Sequence, residues 1–144
     1  MSVIKSEKKR GILFSCKLEE KENIPEAIEH LRNHEELYWS VWFSIIEEKL
    51  TFPLIGLINM NKKIVCKCNI TLIRNYNDND HKDPTKKPRR WIEDRQSGRD
   101  NYDYKKTIVI DALEPFDFET SELIGEDNKR IDHANQSYRT IVLP

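Results

Sequence analysis

Glycine is scarce in this chain. Its four glycines, Gly11, Gly56, Gly98 and Gly125, stand far apart in 144 residues. No glycine-rich turn is therefore available to wrap a phosphate, and no nucleophile elbow can be built. The three cysteines are too few, and odd in number, for a disulfide framework, which points to a reducing, cytoplasmic setting. No apolar run approaches the ~18 residues of a membrane span. The opening MSVIKSEKKRG lacks the apolar core of a signal peptide. An excess of one charge is missing too. The net charge of -1 argues against a uniformly basic nucleic-acid binder and leaves only local patches.

What is present describes one domain. The charged fraction is 34% and the hydrophobic fraction 38%, the balance of a globular chain with a real core. Residues 1–9 are expected to form a flexible leader and residues 10–144 a single domain. GILFSCK, from Gly11, reads as a first strand. Asn23, Pro25 and Glu26 make a helix start of the capping-box type. Ile24, Ala27, Ile28 and Leu31 then recur at helical spacing, to an end between Asn33 and Glu36.

LYWSVWFSII alternates, with Leu37, Trp39, Val41, Phe43 and Ile45 on one face and Tyr38, Trp42 and Ile46 on the other. FPLIGLINM and KIVCKCNITLIR flank Asn61-Lys62 as a hairpin, with Ile64, Cys66, Cys68, Ile70 and Leu72 as its buried face. Gly56 marks a bulge or a close backbone approach. Residues 75–104 read as a long polar loop with room for a helical turn at RRWIEDRQSG. KKTIVIDALEPF is a strand, FETSELI a short helix and SYRTIVLP a last strand. The expected class is α+β, a small curved antiparallel β-barrel with one main packed helix and a short second one.

Catalytic and metal patterns are weak. Cys66 and Cys68 share a strand face, but no second pair at zinc spacing accompanies them, so buried free thiols are the plainer reading. His30 and His34 are one helical turn apart without the His-Glu-x-x-His pattern, which suits a solvated helix face. His81 and His133 fall in loops with no evident partner. No cofactor, metal or catalytic residue is expected.

Two features remain. Trp39 and Trp42 point to opposite faces of one strand, so one is core and the other is free to line a surface pocket. In KDPTKKPRRWIEDRQSGR, five cations (Lys82, Lys86, Lys87, Arg89 and Arg90) face only Asp83 before Trp91. Residues 107–144 hold eight acids against three bases, so charge is polarised along the chain. Cations beside an aromatic suit a phosphate backbone with an unstacked base. The alternative is a solvated loop whose Trp91 plugs the core.

The order of NIPEAIEHLRNHEELYWSVWFS, FPLIGLINMNKKIVCKCNITLIRNY and RRWIEDRQSGRDNYDYKKTIVIDALEPF resembles the PUA-like superfamily, its YTH and EVE branches above all. VWFS, Val41 to Ser44, is similar to the Val-Trp-x-Ser motif of YTH domains. The hairpin departs from the family in lacking its second glycine. The resemblance implies a module that binds nucleic acid, DNA rather than RNA, and takes a flipped, methylated base such as N6-methyladenine into an aromatic cage. It places Trp42, Trp91, Ser44 and Tyr102 at the base pocket, with Tyr104 as another substitute for the third aromatic, and Lys82, Lys86, Lys87, Arg89 and Arg90 on phosphates. EVE-type domains also begin McrB-like restriction proteins, and a chain stopping just after a strand suits a domain cut from a longer protein with a downstream domain or oligomeric motor. Two other readings stay open: an ASCH-type enzyme acting on nucleotides, whose Gly-x-Lys-x-x-Glu-x-Arg signature is not visible, and a protein-interaction domain using the basic loop.

Overall fold

The computed structural model describes residues 10–15, 23–60, 63–119, 124–125 and 138–143. The expected leader, Cys16, His133, the Asn61-Lys62 turn and most of the FETSELI helix lie outside these. Phe118 and Glu119, at its start, belong instead to a strand.

The FPLIGLINM and KIVCKCNITLIR segments pair as the expected antiparallel hairpin. The strands are β1 (Arg10–Ser15), β2 (Leu37–Val41), β3 (Leu54–Met60), β4 (Lys63–Asn75), β5 (Lys106–Glu119), β6 (Ile124–Gly125) and β7 (Tyr138–Val142); the helices are α1 (Asn23–Asn33) and α2 (Arg89–Ser97). The strands form one mixed sheet in the order β2-β5-β4-β3-β1-β7-β6. Among the described residues only the β1–β3 pair is parallel. The α+β class therefore holds. Among the described residues the end strands β2 and β6 do not pair with each other, so the sheet is open and the expected closed barrel is not seen.

The Leu37–Ile45 alternation survives beyond the end of β2: Leu37, Trp39, Val41, Phe43 and Ile45 are all buried. With Ile12, Phe14, Ile58, Cys66, Cys68, Ile70, Ile108 and Ile110 they form the main core. Ile24 and Leu31 of α1 close it. A smaller cluster of Leu13, Leu57, Ile64 and Ile141 explains why β1 and β3 are apolar at successive positions. One phase of the long β4 alternation is overturned. Leu72 is 45% exposed and Ile73 is buried, because the β4–β5 register slips between Ile70 and Leu72 and an extra residue reverses which side chains face in.

Cys66 and Cys68 are buried free thiols. Burial pushes the Cys66 thiol up to about 11, so neither is a ready nucleophile. Gly56 lies opposite Cys68. A Cβ there would meet Cys68 Sγ and Ile70 Cδ1 at 2.8 Å each, so the position marks a close approach. Gly56→Ala is expected to cost about 1–3 kcal/mol by overpacking, with Cys68→Ala in the same chain returning part of the loss. Urea midpoints of the wild type and the two variants measure this; an unchanged midpoint in Gly56→Ala overturns it.

Candidate functional site: a polar-packed connection and its aromatic rims

The stretch between β4 and β5, expected as a loop, is folded on itself. Asn77 starts a 3-10 turn, Asp78–Lys82, its side chain accepting from Asn79 N. Asp83 Oδ1 accepts from Thr85 N and Oγ1, making the next turn. Pro88 then precedes α2, which ends at Gly98 in the left-handed region at φ 83°.

At its centre sits Lys87, only 1% exposed. Its ammonium donates to the Tyr38 carbonyl and to Ser40 Oγ, both at 2.8 Å, and lies 5.9 Å from the centre of the Trp91 ring. Burial pulls its pKa down to about 7, against the pull of Asp80 and Asp100. The neighbouring Tyr38 N–H donates to Lys86 O. The open side of the edge strand β2 is thus bonded to the connection by backbone and side chain together.

The surrounding charges neutralise one another. Asp80, 1% exposed, accepts two 2.8 Å bonds from Arg74 Nη2 and lies 3.4 Å from Lys86 Nζ. Arg74 and Lys86 also lie over the Tyr38 ring. Arg95 donates to Asp78 Oδ1 and to the carbonyls of Asp100 and Tyr102, and its guanidinium lies beside the rings of Tyr76 and Tyr104. The Tyr76 hydroxyl donates to Asp78 Oδ1 and accepts from Nδ1–H of His81 at 2.8 Å, which sets the tautomer. His81 is buried and stacked on Tyr104. The Asp100 carboxylate lies 3.6 Å away, and the Asp78 charge favours the imidazolium. Burial and the Lys87 and Arg95 cations outweigh it and hold the ring neutral, with a pKa of about 3.

Several expectations are corrected here. His81 has partners after all. His30 is not on a solvated face: it is buried, and its Nε2–H is shared between the carbonyls of Glu36 and Thr85 at 3.0 and 3.1 Å. Burial is the main cause that lowers its pKa. Lys87 is no surface cation, since an ammonium enclosed in this way cannot meet a phosphate. Lys86 is tied to Asp80. Among the expected phosphate contacts, Lys82 and Arg89 are exposed, with Arg89 3.4 Å from Glu93. Arg90 donates to Glu26 at 2.6 Å.

The expected base-pocket residues divide. Trp91 packs edge-on against the core residue Trp39, ring centres 5.5 Å apart, and its indole Nε1 is buried without an acceptor among the described residues. It is the plug of the two readings weighed for it. Trp42, half-buried just past β2, lies edge-on to Phe43 and 6.3 Å from Tyr102 at an interplanar angle of 34°. Tyr104 is 6.0 Å from Tyr102, ring centre to ring centre. Ser44 is exposed two residues beyond Trp42. Sequence reasoning missed Asp80, His81, Arg95 and Asp100. Their only signal was the interleaving of acids, bases and tyrosines through residues 74–104.

Among the described residues no group of three or more His, Cys, Asp or Glu side chains could hold a metal, and no helix is long and apolar enough to cross a membrane.

Lys87 makes stability pH-dependent with a definite sign. The unfolded lysine stays protonated up to 10.5 and the folded one only to about 7. Between these values the unfolded chain binds more protons, so this group makes stability rise with pH; below 7 both states are protonated and it contributes no slope. Relative to Lys87→Met, the wild type should therefore gain stability from pH 7 to 10 in denaturant melts. A pH-independent difference contradicts the buried ammonium. The chain matches no family model, no curated protein and no solved structure, which leaves these side chains as the ground for its function.

Proposed function

We propose that the domain is a nucleic-acid-binding module that reads a modified base, a methylated adenine in DNA being the leading case, extruded from its strand and stacked between Trp42 and Tyr102. The observation that carries this reading is the Trp42–Tyr102 pair itself. Its 6.3 Å separation is near the wide end of the ~4.5–7 Å range of aromatic contacts, and both rings are half-buried. A small outward movement of Tyr102 makes a slot with an aromatic wall on each side. The exposed Ser44, two residues along the chain from Trp42, would supply a donor or acceptor to the base.

The energetics suit that role. Extruding a base costs a few kcal/mol, and each aromatic stacking contact returns about 1–3 kcal/mol. A methyl group adds about 0.8 kcal/mol of apolar burial and disfavours a polar pocket. Cations outside the buried network lie along α2 and its approach. The side chains of Arg89 and Arg99 are 89% and 82% exposed, and their ion pairs with Glu93 and Asp94 are of the weak surface kind that a phosphate can displace. Lys82 adds a third exposed cation. Barrel closure of the PUA-like type belongs to the same proposal: Ile46 N, beyond β2, donates to the Tyr138 hydroxyl on β7 at 3.2 Å, which draws the far parts of the open sheet toward each other.

Trp42→Ala should abolish the preference for methylated over unmodified oligonucleotides, a loss on the order of 1–3 kcal/mol, while leaving non-specific affinity in place. Arg89→Gln should weaken binding to every sequence alike and lower the salt slope by about one. Fluorescence anisotropy on matched oligonucleotides over a salt series reads both effects. Binding that never depends on methylation, or a Trp42→Ala variant that unfolds, removes the reader hypothesis.

A further inference from the structure

A concavity that Trp42 does not line lies between α1 and the Pro84–Arg90 segment, with a volume of about 410 Å³. That is within the ~300–1,000 Å³ of small-molecule sites. Its floor is a pair of stacked imidazoles, His30 and His34, 4.5 Å apart at 30°. His30 is fixed from below by its bonds to Glu36 O and Thr85 O, so His34 has a rigid ring behind it. Pro84 and Pro88 supply apolar flanks, and Arg89 stands on the rim. Among the described residues Arg89 has only an exposed ion pair at 3.4 Å, which a phosphate can displace. Glu26 lines the same cleft, and its Oε2 accepts no hydrogen bond among the described residues.

A flat face, apolar flanks, a cation at the mouth and an unfilled acceptor are complementary to one chemical unit: a heteroaromatic base with an amino group, carrying a phosphate. We infer that this cleft is a nucleotide subsite, in which a base bearing an exocyclic amine stacks on His34 and its phosphate meets Arg89. Purely apolar ligands leave Arg89 and Glu26 unused, and inorganic phosphate leaves the stacked rings unused. The unit can arrive free or within a strand, and the site does not depend on the Trp42–Tyr102 slot.

The test follows the His30 and His34 imidazole resonances by NMR while AMP, UMP, adenosine, inorganic phosphate and a short oligodeoxyadenylate are titrated in turn. AMP or the oligonucleotide should shift both resonances, and AMP more strongly than UMP. A response to AMP assigns the subsite to free nucleotides; a response to the oligonucleotide alone assigns it to a strand. His34→Ala should weaken binding roughly tenfold or more, the loss of one stacking contact. Arg89→Gln, at an exposed position that leaves the fold intact, should weaken AMP and spare adenosine. Trp42→Ala should leave the response unchanged, which separates failure here from failure of the reader site. The inference is overturned if neither AMP nor the oligonucleotide moves the two histidines, if phosphate alone moves them as far, or if Trp42→Ala abolishes the response.

Discussion

The enclosed Lys87 ammonium is the constraint on which the connection between β4 and β5 depends. A buried cation is costly unless hydrogen-bonded and near opposite charge. Here Tyr38 O and Ser40 Oγ take two of its protons, and Asp80 and Asp100 supply the opposing field. Both oxygens belong to β2, the edge of the sheet. Satisfying the ammonium therefore covers an edge strand, whose free backbone groups are otherwise a template for unwanted pairing. The same bonds set Pro88 and the start of α2, and so deliver Trp91 onto Trp39. Removing the charge alone is a mild change by this logic, whereas removing its oxygen partners leaves an uncompensated ion inside the fold.

Charge in this region is consumed internally. The run from Lys82 to Arg90 is locally about +4 as written, yet Lys86 and Lys87 turn inward and Arg90 holds Glu26 of α1. Asp80 gathers Arg74 from the end of β4 and Lys86 from the following turn. Arg95 gathers Asp78 and the Asp100–Tyr102 backbone. The segment is thus packed by polar contacts where a loop of this composition would be expected to stay solvated. Its outward electrostatic face is smaller than its composition implies. A phosphate backbone would meet a few separate guanidinium groups and no continuous basic stripe.

What could be read in advance follows from the range of the physics involved. Period-two burial from Leu37 to Ile45 and helical burial at Ile24, Ala27 and Leu31 depend on neighbours close in sequence, and both were legible. The inversion at Leu72 was not, because a bulge is set by the register with β5, some 40 residues away. Lys87 was read as a surface cation because lysine is rarely enclosed. Its burial needs Tyr38 and Ser40, which the chain supplies 47–49 residues earlier. His30 was misread for the same reason, since one of its two acceptors, Thr85 O, is 55 residues distant. The Trp39–Trp42 division was legible in part: Trp39 is buried, whereas Trp42, just past the end of β2, is half-buried and still packs against the same core. Which ring Trp42 would meet was not, since Tyr102 reaches it only through the folded connection.

The helix α2 ties these features into one frame. It is nine residues long, about 14 Å at 1.5 Å per residue. At its first turn Arg90 is bonded to α1, and the preceding Lys87 is bonded to β2. At its last turn Arg95 holds the carbonyls of Asp100 and Tyr102. Both ends are therefore fixed to other parts of the fold, and the distance between the histidine cleft at one end and the Trp42–Tyr102 pair near the other cannot vary freely. A ligand spanning both must match that distance, whereas a mononucleotide need occupy only one. Rigid spacing of this kind separates ligands by length without a single base-specific contact. It also places the exposed Arg89 at the first residue of the helix and the exposed Arg99 just past its C-terminal Gly98, so that under the proposed function the two would meet phosphates that are not adjacent in one strand.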